Sequence, residues 1–210
     1  MAGLMLVPTP AELAVIEANL PPASLTDWRI ELCGFGPIAA ASRSAALIER
    51  HRPDQVVLLG IAGSFGDALA IGSAVTFGQV HCWGIGVGSG AVHQSADAMG
   101  FPQWNGDRPV GQLIELTTSQ SRHVLLTCCA ASANDQEANR KRTAIPTATA
   151  EDMEGYGVAL SCRIADVPLT IIRGISNHVG ERNRDHWQVE AALRAAAALA
   201  TSEICSRDSA

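Results

Sequence analysis

A chain of 210 residues, 47% hydrophobic and 17% charged, is long and apolar enough to bury one sizeable core. No Pro/Gly/Ser-rich linker or charge run divides it, so a single domain over 1–210 is expected. The net charge is −6, and all but Lys141 of the 15 cationic residues are arginines, with no run longer than Arg140-Lys141-Arg142, which argues against nucleic acid as a partner.

Apolar runs are strand-sized or broken by Gly and polar residues, and the start MAGLMLVPTPAEL has neither a basic leader segment nor a cleavage-site pattern. No membrane segment is predicted, and a cytoplasmic location is expected. The cysteines, Cys33, Cys82, Cys128, Cys129, Cys162 and Cys205, have no zinc or redox spacing and read as buried free thiols. His81, His93, His178 and His186 likewise lack metal-ligand spacing, so neither a metal nor a cofactor is expected. So few charges on so apolar a chain leave surface for a second copy to cover, and a homo-oligomer is expected.

Leu4 to Val7 is a short apolar run, followed by Pro8-Thr9-Pro10 and helical spacing from Ala11 to Leu20. Strand, tight turn and helix are predicted, with Glu12 in the turn or the first helical turn. Trp28 to Cys33 reads as a second strand, broken by Gly34-Phe35-Gly36-Pro37 before an Ala-rich helix that ends near Arg50. Gln55 to Leu59 is a third strand, emptying into a loop from Gly60 to Gly66 whose glycines let backbone approach a ligand, with Ala62 and Gly63 expected to touch substrate. Ala74 to Trp83 reads as another strand. Residues 84 to 110 show no period and are expected to form a long surface or lid loop. Gly84 to Gly90 is rich in glycine, but no amphipathic helix follows it over 91 to 106, which excludes a dinucleotide fingerprint. Val124 to Cys129 is a further strand, then a polar stretch.

The stretch EDMEGYGVALSCRIADVPLTIIRGISN, from Glu151 to Asn177, carries the most information. Asp152 or Thr149 can cap a helix from Gly155 to Ala165, and Pro168 opens an apolar strand ending near Arg173. Glu154 therefore stands at a helix N-terminus, where the backbone amides favour an ionised carboxylate able to accept two hydrogen bonds from a vicinal diol. A terminal Ala-rich helix runs from Trp187 to about Ile204. Strands alternating with helices argue an α/β domain with a mostly parallel or mixed sheet, and ligands of such sheets lie at strand C-terminal ends. Glu12, the glycine loop and Asn177 all sit at such ends.

Met153-Glu154-Gly155 and Arg173-Gly174-Ile175-Ser176-Asn177 resemble the paired motifs of the purine nucleoside phosphorylase and nucleosidase superfamily. The resemblance is carried by residues 149 to 190, with shorter matches over 1 to 20 and 55 to 80. The segment from Arg182 to Trp187, together with Asn177, is most similar to its futalosine hydrolases. The resemblance implies a three-layer α/β/α sandwich around a mixed, distorted sheet, and a nucleoside as the small-molecule partner. It implies Glu12 as the base that activates water, Met153 packed on the sugar, Glu154 on the ribose diol, and Arg173 beside the carboxylates. Asn177 would donate to N7 and O6 of a 6-oxopurine leaving group. The implied reaction is hydrolysis of futalosine to hypoxanthine and dehypoxanthine futalosine, a step toward menaquinone.

Other readings stay open at this level. Glu12 and Glu154 are also ordinary helix-start acids, Asn177 an ordinary turn residue, and Arg173 a structural cation. A methylthioadenosine/adenosylhomocysteine or aminodeoxyfutalosine nucleosidase, a phosphorylase, and a nucleoside-binding protein without turnover are the alternatives. Hydrolysis is favoured over phosphorolysis because Leu58 and Ile61 stand where the phosphorylases hold phosphate, and no Lys or Arg occurs between Pro53 and Asp107. Arg182 or Arg184 is a candidate partner for a substrate carboxylate, and the loop at 84 to 110 is expected to shape the 5′ side of the pocket.

Overall fold

In the computed structural model, which describes residues 3–22, 26–88 and 90–207, strands and helices alternate along most of the chain. They are β1 (Gly3–Val7), α1 (Pro10–Asn19), β2 (Trp28–Leu32), α2 (Pro37–His51), β3 (Gln55–Ser64), β4 (Ala74–Phe77), β5 (Gln79–Trp83), β6 (Gly86–Val87), β7 (Gln94–Ser95), β8 (Leu113–Glu115), β9 (Val124–Cys128), α3 (Asp135–Ala144), β10 (Ala148–Asp152), α4 (Gly155–Ala165), β11 (Leu169–His178) and α5 (Val189–Arg207). Ser89 of the glycine-rich segment and the first two residues lie outside the described residues.

The main sheet follows the order β2-β1-β3-β10-β9-β5-β8, with β11 on the other side of β3 and β4 beyond it. Successive side chains of a strand face opposite ways, so each strand feeds two cores. Leu4, Leu6, Val56, Leu58 and Leu125 pack under α2 and α4. Met5, Val7, Val57, Leu59 and Ile172 pack under α1 and α5. Leu126 and Cys128 meet Ala138 of α3. The result is the expected three-layer α/β/α sandwich around a mixed sheet. Among the described residues no helix is long and apolar enough to cross a membrane.

One piece of topology creates the site. The first half of β3 pairs in parallel with β1, up to Leu6 opposite Leu58, whereas its end pairs antiparallel with β10, Gly63 opposite Glu151 and Ser64 opposite Ala150. The C-terminal ends of β1 and β10 therefore point at each other along one side of β3, across a gap beside Leu59 to Ala62. α1 starts from one lip of that gap and α4 from the other.

The sheet extends further than the sequence reading expects. β3 does not stop at Leu59 but continues through the supposed loop to Ser64, because β11 pairs with it along that length and satisfies its backbone. β11 correspondingly runs to His178 rather than to Arg173. The strand expected over 74 to 83 is two, β4 against β11 and β5 against β9. The polar stretch after Cys129 contains α3 and β10. Residues 84 to 110 hold the β6–β7 ribbon and the bridge of Trp104 with Val110. Four cysteines are buried as expected, but Cys129 and Cys205 are exposed.

Candidate active site

The gap opens into a cavity of about 380 Å³ lined by Glu12, Ala62, Gly63, Met153, Glu154 and Asn177, which come from four separate stretches of chain. Arg173 is not on its wall; fully buried, it lies behind the carboxylates. None of the described residues of 84 to 110 lines the cavity either. That segment instead borders a second hollow with His81, Trp83 and Arg140, so the expectation that it shapes the 5′ side is not met within this chain.

Glu12 is aimed by the start of α1. Thr9 is the N-cap and its hydroxyl oxygen accepts from the Glu12 amide at 3.3 Å, the first half of a capping box. The second half is diverted: instead of returning to the cap backbone, the Glu12 carboxylate accepts from the Thr9 hydroxyl at 2.7 Å and from the Ile61 amide at 3.1 Å. A side chain that would ordinarily serve its own helix is thereby held against β3 and on the cavity wall. The Thr9-Pro10-Ala11-Glu12 spacing was the signal that could have found Thr9.

Glu154 and Asp152 flank Met153 and share one cation. Arg173 Nη2 donates to Asp152 Oδ2 at 2.5 Å and to Glu154 Oε2 at 3.3 Å. Asp152 also accepts from the Thr127 hydroxyl at 2.6 Å and from the Gly155 amide at 2.8 Å, so Asp152 rather than Thr149 serves the first turn of α4. Glu154 Oε1 accepts from the Gly36 amide at 3.0 Å; Gly36 caps α2 with φ +83°, a conformation that suits glycine and turns its amide to the carboxylate. Even so, burial pushes the Glu154 carboxyl up to about 7, against the pull of Arg173 and with the help of neighbouring Asp152. The sequence reading took this acid to be simply ionised by its helix; desolvation outweighs the helix.

The Arg173 guanidinium fits only because residue 60 is glycine. A β-carbon there would lie 2.2 Å from Arg173 Nη1 and 3.0 Å from Glu12 Oε1. Arg173 Nη1 and Nε are buried without a hydrogen-bond partner. A charged donor with an unmet bond thus stands beside the Glu12 carboxylate.

Asn177 reaches the cavity through a bulge. Pairing of β11 with β3 shifts between Ile175 and Asn177, placing Asn177 opposite Gly63 and leaving Ser176 out of step. Asn177 Nδ2 donates to the His178 carbonyl at 2.8 Å, and Oδ1 accepts from the Ser176 hydroxyl at 2.7 Å. A carbonyl only accepts, so the amide nitrogen must face His178 and the amide cannot flip without loss. The remaining N–H of Nδ2 is left for a ligand. Nearby, Glu151 and Ser132 also line the wall. Glu151 takes the Ser132 amide at 2.7 Å, the Ser132 hydroxyl at 2.8 Å and buried Lys141 at 2.7 Å, which fixes the segment after β9. Sequence reasoning missed this ion pair, since a lone Lys in a polar stretch reads as solvated.

Comparison with known proteins agrees with this fold. The sequence profile of the Phosphorylase superfamily matches residues 28–206. The futalosine hydrolase of Acidothermus cellulolyticus is 34% identical over 175 residues, 79% of this chain and 70% of that one. The 5′-methylthioadenosine/S-adenosylhomocysteine nucleosidase of Geobacillus sp. is 27% identical over 157 residues, 71% and 67% of the two chains. The corresponding nucleosidase of Colwellia psychrerythraea, solved with adenine, superposes with a TM-score of 0.78 at 21% identity, covering 98% of this chain and 95% of that one. With the matched profile spanning most of its length and its relatives being a futalosine hydrolase and a 5′-methylthioadenosine/S-adenosylhomocysteine nucleosidase, this chain belongs to the phosphorylase superfamily and is an enzyme of its N-glycosyl hydrolase, or nucleosidase, class.

Proposed function

We propose that this protein hydrolyses the N-ribosidic bond of futalosine, releasing hypoxanthine and dehypoxanthine futalosine, within the futalosine route to menaquinone. The observation that carries the reading is the Asn177 carboxamide, held by Ser176 and His178 with one N–H left for the cavity. Hypoxanthine departs with its negative charge spread over N7 and O6, and an N–H donor stabilises that anion without having to protonate it. Water attacks C1′ as the C1′–N9 bond breaks and its electrons pass to the purine. Glu12 takes the proton, with the buried Arg173 guanidinium behind the carboxylates of the wall. Glu154 holds the 2′,3′-diol and places negative charge near the cationic sugar carbon. Met153, Ala62 and Gly63 pack against the nucleoside.

The test is base release from futalosine and its 6-amino counterpart, with and without phosphate. Hypoxanthine release without phosphate is expected, preferred over adenine by about tenfold or more in kcat/KM, the worth of one well-matched buried hydrogen bond. Faster adenine release would favour the second reading, a methylthioadenosine/adenosylhomocysteine nucleosidase. That reading is supported by the similar identity of the Geobacillus relative and by the second lone pair of Asn177 Oδ1, an acceptor for a 6-amino group.

The raised Glu154 carboxyl sets the pH response. Its cause is burial first, then Asp152 and Glu12, opposed by Arg173 and the Gly36 amide. Because the diol needs the ionised form, kcat/KM is expected to climb with pH until about 7 and then level. Folding responds in the opposite sense: an acid weaker in the folded than in the unfolded chain makes stability fall as pH rises from 4.5 to about 7. Glu154→Gln removes both slopes. Profiles in the variant that keep the slopes would exclude Glu154 as their source.

The enzyme acts as a homo-oligomer in this reading. Ile85, Val87, Val92, Phe101, Trp104 and Leu113 are large apolar residues exposed along one segment, a patch suited to a second copy. Sedimentation at micromolar concentration is expected to show a dimer or larger, and Phe101→Glu to shift it toward monomer. A wild-type monomer at all concentrations refutes this.

A further inference from the structure

Two exposed guanidiniums that line the cavity, Arg182 and Arg184, have no acidic partner among the described residues, although Glu181 and Asp185 adjoin them in the chain. Of the acids of the wall, Glu151 is served by Lys141, Asp152 and Glu154 by Arg173, and Glu12 by the Thr9 hydroxyl and the Ile61 amide. The acid of the mouth loop is taken as well. Glu181 sits next to Arg182 in the chain, yet its carboxylate accepts from the Asn183 amide at 2.6 Å and pairs with His186 Nδ1 at 2.9 Å. The Asn183 side chain accepts from the Asp185 amide at 3.2 Å, and the Gln188 amide donates to the Ser176 carbonyl at 2.8 Å. The loop is therefore braced internally without using its arginines.

Arg182 is also pre-placed. Its Cζ lies 5.2 Å from the centroid of the Trp187 ring, and the Trp187 indole N–H donates to the Glu181 carbonyl at 3.2 Å. Stacking engages the face of a guanidinium and leaves its in-plane N–H donors free for an oxyanion. Among the described residues these are the cations that line the cavity, whose wall also carries the acids that would hold a ribose.

We infer that Arg182 and Arg184 are specificity-determining residues that bind an anionic group at the far end of the nucleoside's 5′ substituent. This rests on the nucleosidase reading of the same cavity. The chemistry is that of a carboxylate or other oxyanion, and two sources of it are separable: the nucleoside's own 5′ chain, which is the inference, and free phosphate.

The experiment uses a 5′-thioinosine whose sulfur carries a carboxypropyl chain, and its carboxamide counterpart of the same shape and no charge. Wild type is expected to prefer the carboxylate by roughly tenfold in kcat/KM, more at low salt, as for partly exposed charge-assisted pairs. In Arg182→Gln/Arg184→Gln the ratio of the two substrates is expected to fall to near one, whatever the absolute rates do. A wild type without preference, or a double variant that keeps it, overturns the inference. Cleavage that requires phosphate, yields a sugar 1-phosphate and loses its phosphate dependence in the double variant overturns it too, by assigning the guanidiniums to the nucleophile. If neither compound releases its base, the hydrolase reading fails by itself. Calorimetric affinities of the two compounds for both proteins then decide the role of the arginines separately.

Discussion

Glu12→Gln is expected to slow base release by roughly 10²–10⁴-fold, the usual contribution of a positioned general base, while nucleoside binding persists. The variant suits the question because the fold has little reason to notice it. The carboxylate accepts one bond from the Thr9 hydroxyl and one from the Ile61 amide. A glutamine can keep its oxygen toward the Ile61 amide, which only donates, and turn its NH2 to Thr9, whose hydroxyl can accept. Geometry and neutral bulk survive; basicity does not. Base release measured by absorbance, beside an affinity for product purine, separates the outcomes. Loss of both binding and turnover points to a structural role, and near-normal turnover removes Glu12 from the mechanism.

Arg173→Met carries the largest expected effect on stability, about 3–5 kcal/mol, the range for stripping the partner from buried charges. The side chain is 0% exposed and its nitrogen serves Asp152 and Glu154 together. Methionine fills much of the volume but leaves both carboxylates without a cation. Urea denaturation is the measurement. The loss is expected to shrink as pH falls below about 7, because a protonated Glu154 no longer needs the guanidinium, and to be partly recovered by adding Asp152→Asn and Glu154→Gln. A variant as stable as wild type at neutral pH would mean that solvent reaches these acids.

Much of the architecture was legible because it is written in periodicity: β1, β2, β9, α1, α2, α4 and α5 all appear near their expected places. What escaped was hidden for definite reasons. α3, DQEANRKRTA, buries only Ala138 and Lys141, so it has almost no apolar stripe. β10, ATAED, has Thr149 as its one β-branched residue and no aromatic, and it ends in two acids whose burial Lys141 and Arg173 compensate. The glycines of β3 read as a loop, yet pairing with β11 on one side and β10 at the end keeps them extended. Of the candidate residues, Glu12, Ala62, Gly63, Met153, Glu154 and Asn177 share one wall, and Arg173 stands behind it. Their convergence was readable from strand ends. Gly36 and Gly60, which help to place them, were not, since their work depends on partners distant in sequence, whereas Thr9 and Ser176 act on near neighbours.

The head-on meeting of β1 and β10 along β3 has a kinetic corollary. Glu12 and Glu154 lie far apart in the polypeptide and come within reach of one ligand only when β1 and β10 have both paired with β3, and Asn177 joins them with the last strand, β11. Contacts so remote in sequence are slow to form. Turnover is thus a late milestone of maturation: a partly assembled sheet can own every element of secondary structure and still be inert.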